Sequence, residues 1–165
     1  MSILTGKTAI ITGGGRGLGS SIALAFAGEG AAVTVVDLDE PACHRVRVTV
    51  ESSGARCLAI RCDVANRTEV DRAVAATATT FGSVDILVNA AFSNPSFNTP
   101  FEAQTEQALM ANLNSSLLGT WNFMQACFPY LRRQGGKIII FHQPRFPRGS
   151  QEWRHIAQQK VRWSV

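Results

Sequence analysis

Tyrosine is almost missing from this chain: Tyr130 is its only one, so any reaction needing a phenol as proton donor has a single candidate. Long apolar runs are missing too. No stretch reaches the length that a membrane-spanning helix requires. The N-terminus, Met1-Ser2-Ile3-Leu4-Thr5-Gly6-Lys7, lacks the charged-then-apolar layout of a signal peptide, so a cytoplasmic location is the expectation. The four cysteines, Cys43, Cys57, Cys62 and Cys127, form no C-x-x-C pair, so no metal site is expected; they read as reduced thiols serving as small apolar residues. Acidic residues are scarce near the C-terminus, where Glu152 alone faces Arg145, Arg148, Arg154, Lys160 and Arg162. Residues 1–139 carry eleven charges of each sign, so the whole net charge of +4 sits in that tail. No recognisable nucleic-acid motif accompanies it, and charge alone does not make a nucleic-acid binder.

What remains is 45% hydrophobic in 165 residues, enough for one globular domain. Apolar runs alternate with helical spacing. Thr8–Thr12, Ala32–Val36, Cys57–Arg61, Val84–Val88 and Lys137–Ile140 read as strands. Between them fall helical patterns: Leu18, Ile22 and Phe26; Val46 and Val50 after Pro41; Val70, Val74 and Phe81. A long amphipathic helix is expected from Leu113, Leu117, Trp121, Met124, Phe128 and Leu131, closed by Gly135-Gly136. Strands separated by helices imply a parallel sheet with right-handed crossovers, hence a doubly wound, Rossmann-type α/β/α fold. Ligands of such sheets sit at the carboxyl ends of the strands, which directs attention to the residues just after each strand.

The first of these stretches is Thr12-Gly13-Gly14-Gly15-Arg16-Gly17-Leu18-Gly19. Gly13 permits a tight turn out of the strand, Gly17 lets backbone approach a phosphate, and Gly19 allows helix and sheet to pack closely. The helix that begins here offers free N–H groups and a positive dipole end to a pyrophosphate. Arg16 adds a cation in the turn that could meet a phosphate. Asp37, at the end of the second strand, is placed to accept hydrogen bonds from the adenosine ribose and to repel a 2′-phosphate, which favours NAD over NADP. Asp63-Val64 after the third strand and Asn89-Ala90-Ala91 after the fourth hold equivalent positions. An Asp there could meet the adenine amino group; an Asn there could tie strands together or contact a ribose.

These residues resemble the short-chain dehydrogenases/reductases over about Leu4 to Ile139. Thr12, Gly13, Gly17 and Gly19 form that family's T-G-x-x-x-G-x-G. Asp63-Val64 looks like its adenine-contacting pair. Asp85–Ala91 resembles the segment ending in N-N-A-G, with Ala90 for the second Asn and Phe92 for Gly. Asn112 sits where the family keeps a helix Asn that holds a proton-relay water. The resemblance implies hydride transfer between a nicotinamide and an alcohol or carbonyl carbon, with a Tyr as general acid/base, a Lys four residues on that lowers its pKa, and a Ser that polarises the carbonyl. It also implies a homo-oligomer, an expectation left open here because the helices that would pair are incomplete. Phe92, Asn94, Pro95 and Phe97 are candidates for a substrate wall or for plain loop packing.

The pattern then breaks. Gln134, not Lys, lies four residues after Tyr130, which also precedes the fifth strand. His142 and His155 read as incidental. The genetic code offers a reason. Codons AAT ATT TCA TCA (Asn-Ile-Ser-Ser), less one A, read ATA TTT CAT CA, giving Ile140, Phe141, His142 and Gln143. The same shift lets codons for His155 to Lys160 spell Tyr-Ser-Ala-Thr-Lys, the missing motif at the family's spacing. On this reading 1–139 is an incomplete NAD-binding domain truncated after strand five. Residues 140–165 are an aberrant, frameshifted tail, and the chain as written is inactive. The alternative is a non-catalytic NAD-binding or regulatory module. Exposure of the stripe from Leu113 to Leu131 and of the last strand, with poor solubility, is the expected consequence.

Overall fold

The structure is a computed structural model and describes residues 2–93 and 99–141. Its order is β1 (Thr8–Thr12), α1 (Gly17–Gly28), β2 (Ala32–Asp37), α2 (Glu40–Ser52), β3 (Cys57–Arg61), α3 (Arg67–Phe81) and β4 (Ile86–Asn89). A short 3₁₀ turn (Phe101–Ala103), α4 (Glu106–Leu113), a π turn (Asn114–Leu118), α5 (Gly119–Gln134) and β5 (Lys137–Ile140) follow. The five strands pair in parallel in the order β3-β2-β1-β4-β5. The chain reverses direction across the sheet between β2-β1 and β1-β4, which opens a crevice at the carboxyl ends of β1 and β4.

β1, β2 and β4 are buried on both faces, whereas β3 is half-buried and β5, the last strand, is largely exposed. In β1, Ala9 and Ile11 join Val33, Val35 and Val88 under α1 and α2, while Ile10 and Leu87 meet α3 and α5 on the other face. Burial on two faces is why these strands read as continuous apolar runs. β4 begins at Ile86 and runs through Asn89, two residues later than the apolar run begins. Val84 and Asp85 are buried before it, and Asp85 spends its side chain on the amino edge of the sheet. Its Oδ2 accepts from the Thr8 N–H at 2.9 Å and the Ser83 hydroxyl at 2.8 Å, and its Oδ1 lies 3.6 Å from Lys7 Nζ.

One helix face differs from the sequence reading, and on a second the expected exposure is partial. On α1 the core side is Gly19, Ala23, Phe26 and Ala27, and Leu18 is exposed. Small residues win that face because they let the helix lie close on the sheet. On α5 the buried side is Asn122, Phe123, Cys127 and Leu131. Trp121, at 61%, and Phe128 are exposed on the same helix, as are Leu113 at the end of α4 and Leu117, at 68%, in the π turn before it. This helix therefore carries two apolar faces, and the sheet takes the narrower one. Ile140 pairs with Asn89 and the Phe141 N–H donates to the Asn89 carbonyl at 2.9 Å, so strand pairing runs past the boundary drawn after Ile139. The rest of the basic tail, 142–165, and with it the frameshift reading, lies outside the described residues, as do Asn94, Pro95 and Phe97.

Candidate functional site

The turn between β1 and α1 is drawn against its neighbours at every glycine but one. Gly13 has φ 63°, and a Cβ there would come within 2.7 Å of the Ala90 carbonyl and Ala91 Cα. A Cβ on Gly19 would overlap the Gly13 carbonyl, and one on Gly15 would sit 3.1 Å from Asp37 Oδ2. Gly17 is the exception: its φ is 55°, and no protein atom lies within 4 Å of its would-be Cβ. The turn is thus closed toward the sheet and open at Gly17. No side chain caps α1 behind Arg16, whereas Asp39, Asn66 and Thr105 cap α2, α3 and α4. The first-turn N–H groups of α1 therefore stay available to an anion.

Asp37 stands beside this turn. Its Oδ2 accepts from the Gly15 N–H at 3.1 Å and its Oδ1 from the Asp39 N–H at 3.2 Å. The carboxylate is fixed by two backbone donors and still partly exposed. Arg16 is exposed at the N-cap, and Leu18 points its side chain away from the core. Beneath Asp37, burial first and the Asp37 carboxylate second push the Cys43 thiol up to about 12, so that thiol stays protonated and unreactive.

Asp63 and Val64 follow β3 in a turn closed by the Asn66 N–H to the Asp63 carbonyl at 2.9 Å. Asp63 Oδ1 accepts from the Ala65 N–H, and Glu69 Oε2 accepts from the Asp63 N–H, both at 2.9 Å. Asn89 is 4% exposed at the end of β4, and among the described residues neither its Nδ2 nor its Oδ1 has a hydrogen-bond partner. A buried amide without partners is costly, which marks this spot as one where a ligand or water completes the bonding. The N–H groups of Ala90 and Ala91 both donate to Thr12 Oγ1 at 3.1 Å, which ties the ends of β1 and β4 together.

Asn112 lies on α4, half-buried. Its Nδ2 donates to the Ser93 carbonyl at 3.0 Å, and the Ser116 hydroxyl donates to the Asn112 carbonyl at 2.6 Å. Ser115 Oγ accepts from the Ser93 N–H at 3.0 Å, so the π turn holds the loop after β4 from two sides. Tyr130 is elsewhere. It sits one turn before the end of α5, at the amino edge of the sheet, packed on the α3–α5 core with Arg133 over its ring. The glycine turn, Asp37, Asp63-Val64 and Asn89–Ala91 therefore share the carboxyl edge, and Tyr130 is not with them. The contacts of Thr12 Oγ1, Ser115 and Asn122 escaped the sequence reading because only the fold brings their partners near, and Glu69, six residues from Asp63, escaped it as an ordinary acid at a helix start.

Residues 7–142 match the family model described as short chain dehydrogenase. L-fucose dehydrogenase of Oryctolagus cuniculus is 38% identical over 134 residues, which is 81% of this chain and 45% of that protein. A 12alpha-hydroxysteroid dehydrogenase of Clostridium is 34% identical over 148 residues, 86% of this chain and 57% of that protein. Among solved structures, hydroxysteroid dehydrogenase from Escherichia coli superposes with a TM-score of 0.75 at 30% identity, covering 83% of this chain and 55% of that one. A short chain dehydrogenase from Burkholderia cenocepacia, in complex with NADP, gives 0.77 at 33% identity with the same coverage. The chain spans about half the length of the curated relatives it matches.

Proposed function

We propose that this chain, which belongs to the short chain dehydrogenase family, is the cofactor-binding part of an NAD-dependent oxidoreductase acting on a small alcohol or carbonyl compound. Its 165 residues as written bind the dinucleotide without turning a substrate over. Bound at the carboxyl edge, NAD supplies a hydride acceptor for an alcohol carbon and NADH a hydride donor for a carbonyl. The reading includes a cytoplasmic setting and no role for nucleic acid, membrane or metal.

The residues present fit such a group. The open Gly17 and the uncapped start of α1 suit a pyrophosphate, and the unpartnered Asn89 amide suits a ribose or a bridging water. Asp63, Val64, Ala90 and Ala91 line the same edge. Asn112 holds the loop after β4, and the resemblance gives it a proton-relay water; no phenol stands near to use one. The observation that carries the NAD preference is Asp37, held by the Gly15 and Asp39 N–H groups where the adenosine ribose belongs. An anion fixed there accepts from ribose hydroxyls and repels a 2′-phosphate. The Burkholderia relative is seen with NADP, so the preference is a property to be measured in this chain itself.

The alternative, a non-catalytic NAD-binding module, is favoured by the remote position of Tyr130. Mixing the purified chain with NAD and a panel of secondary alcohols tests the reading. Calorimetric binding with no reduced nicotinamide appearing is the expected outcome. Turnover would overturn the inactive assignment, and absence of binding would overturn the cofactor site.

A further inference from the structure

We propose that Asn122, buried on α5, is a positioning residue for the adenine half of the dinucleotide, acting through the loop Asp63–Asn66. The proposal rests on the NAD-binding reading above.

That loop makes its own shape. The Asn66 N–H closes the turn on the Asp63 carbonyl, and Asp63 Oδ1 takes the Ala65 N–H. Local bonds of this kind fix a turn but not where it stands relative to the sheet. Glu69 Oε2, which accepts from the Asp63 N–H, belongs to the first turn of α3 and travels with the loop. The tie to a separate element is Asn122. Its Nδ2 donates to the Val64 carbonyl at 3.0 Å and to the Ala65 carbonyl at 3.3 Å. Asn122 is 5% exposed, and the next residue, Phe123, is fully buried in the α3–α5 core. The donor is therefore rigid.

Gly119 completes the seat one turn earlier. A Cβ there would overlap the Val64 side chain, so Val64 rests directly on the α5 backbone. Two adjacent loop carbonyls and one loop side chain are thus received by a single helix face. Among the described residues, Asp63 Oδ2 has no hydrogen-bond partner, so the seat leaves one carboxylate oxygen for an adenine amino group.

Removing the amide leaves two part-buried carbonyls unpaired and lets the turn drift from the crevice. Ligands carrying adenine then lose affinity, and ligands carrying only nicotinamide do not. The test is Asn122→Ala in the full chain. AMP is titrated by calorimetry, nicotinamide mononucleotide is followed by ligand NMR, and a thermal melt is recorded alongside. AMP affinity is expected to fall about tenfold, with nicotinamide mononucleotide unchanged. Gly119→Ala pushes the same loop from the Val64 side without removing a polar group, and the same split is expected from it should Asn122→Ala fail to fold. Equal losses for both ligands, or no loss for either, would overturn the proposal. If the unmodified chain binds neither AMP nor NAD, the cofactor reading itself falls.

Discussion

In the proposed cofactor site, Asp37 supplies charge and the glycines supply space. Replacing the carboxylate by a hydroxyl removes the repulsion of a 2′-phosphate and one charged acceptor. Asp37→Ser is expected to weaken NAD by about tenfold, in line with a charged hydrogen bond of about 1.5–3 kcal/mol partly kept by the hydroxyl, and to strengthen NADP. Competing titrations of the two cofactors check it. Gly13→Ala places a Cβ at φ 63° against the Ala90 and Ala91 backbone, so it is expected to lower folding stability by more than about 1 kcal/mol in denaturant unfolding. These residues were legible in the sequence because their requirement is local: a turn, a helix start, a strand end. Thr12 Oγ1 on Ala90 and Ala91 and Asn122 on Val64 were not. Thr12 was legible only as part of the glycine motif, and Asn122 not at all, because the partners of both lie far along the chain.

Among the elements, α5 separates what periodicity tells from what it does not. Spacing identified an amphipathic helix whose stripe is exposed in part, as expected, at Leu117, Trp121 and Phe128, while its Met124 and Leu131 join the core. The sheet takes Phe123, Cys127 and Leu131, with Gly119 and Asn122 under the β3–α3 loop. A helix with two apolar faces cannot declare from sequence which one meets its neighbour. The strands β1, β2 and β4 were legible for the opposite reason: burial on both faces leaves no choice of face to get wrong. Phe123→Ala is expected to cost about 3–5 kcal/mol of folding stability, and Phe128→Ala to stay within about 0.5 kcal/mol, read from urea midpoints. Charged residues at Leu117 and Trp121 are expected to leave stability equally unmoved while raising solubility, measured as the concentration at which the chain aggregates. Comparable losses at Phe123 and Phe128 would contradict the assignment of faces.

Across the whole molecule the cysteines set an alkaline limit. Burial raises the thiols of Cys43, Cys57, Cys62 and Cys127 from an ordinary 9.0 to about 12. In the unfolded chain they ionise near 9, so below that pH their contribution to stability is fully present, and it is lost as pH rises toward about 12. Unfolding free energy is expected to fall with pH over that window, and Cys127→Ala to make the fall shallower. The fold also gathers one edge with the glycine turn, the Asp37 carboxylate and an Asn89 amide unpaired among the described residues, while the only tyrosine stands at the other edge. On the proposed reading this edge takes the dinucleotide and the described residues supply no acid/base beside it. Calorimetric titration of the purified chain with NAD and then with NADP tests that claim most directly. The expected result is saturable one-to-one binding of NAD, with NADP at least about tenfold weaker, a gap of about 1.4 kcal/mol. NADP binding as tightly as NAD, or neither binding at all, would contradict it.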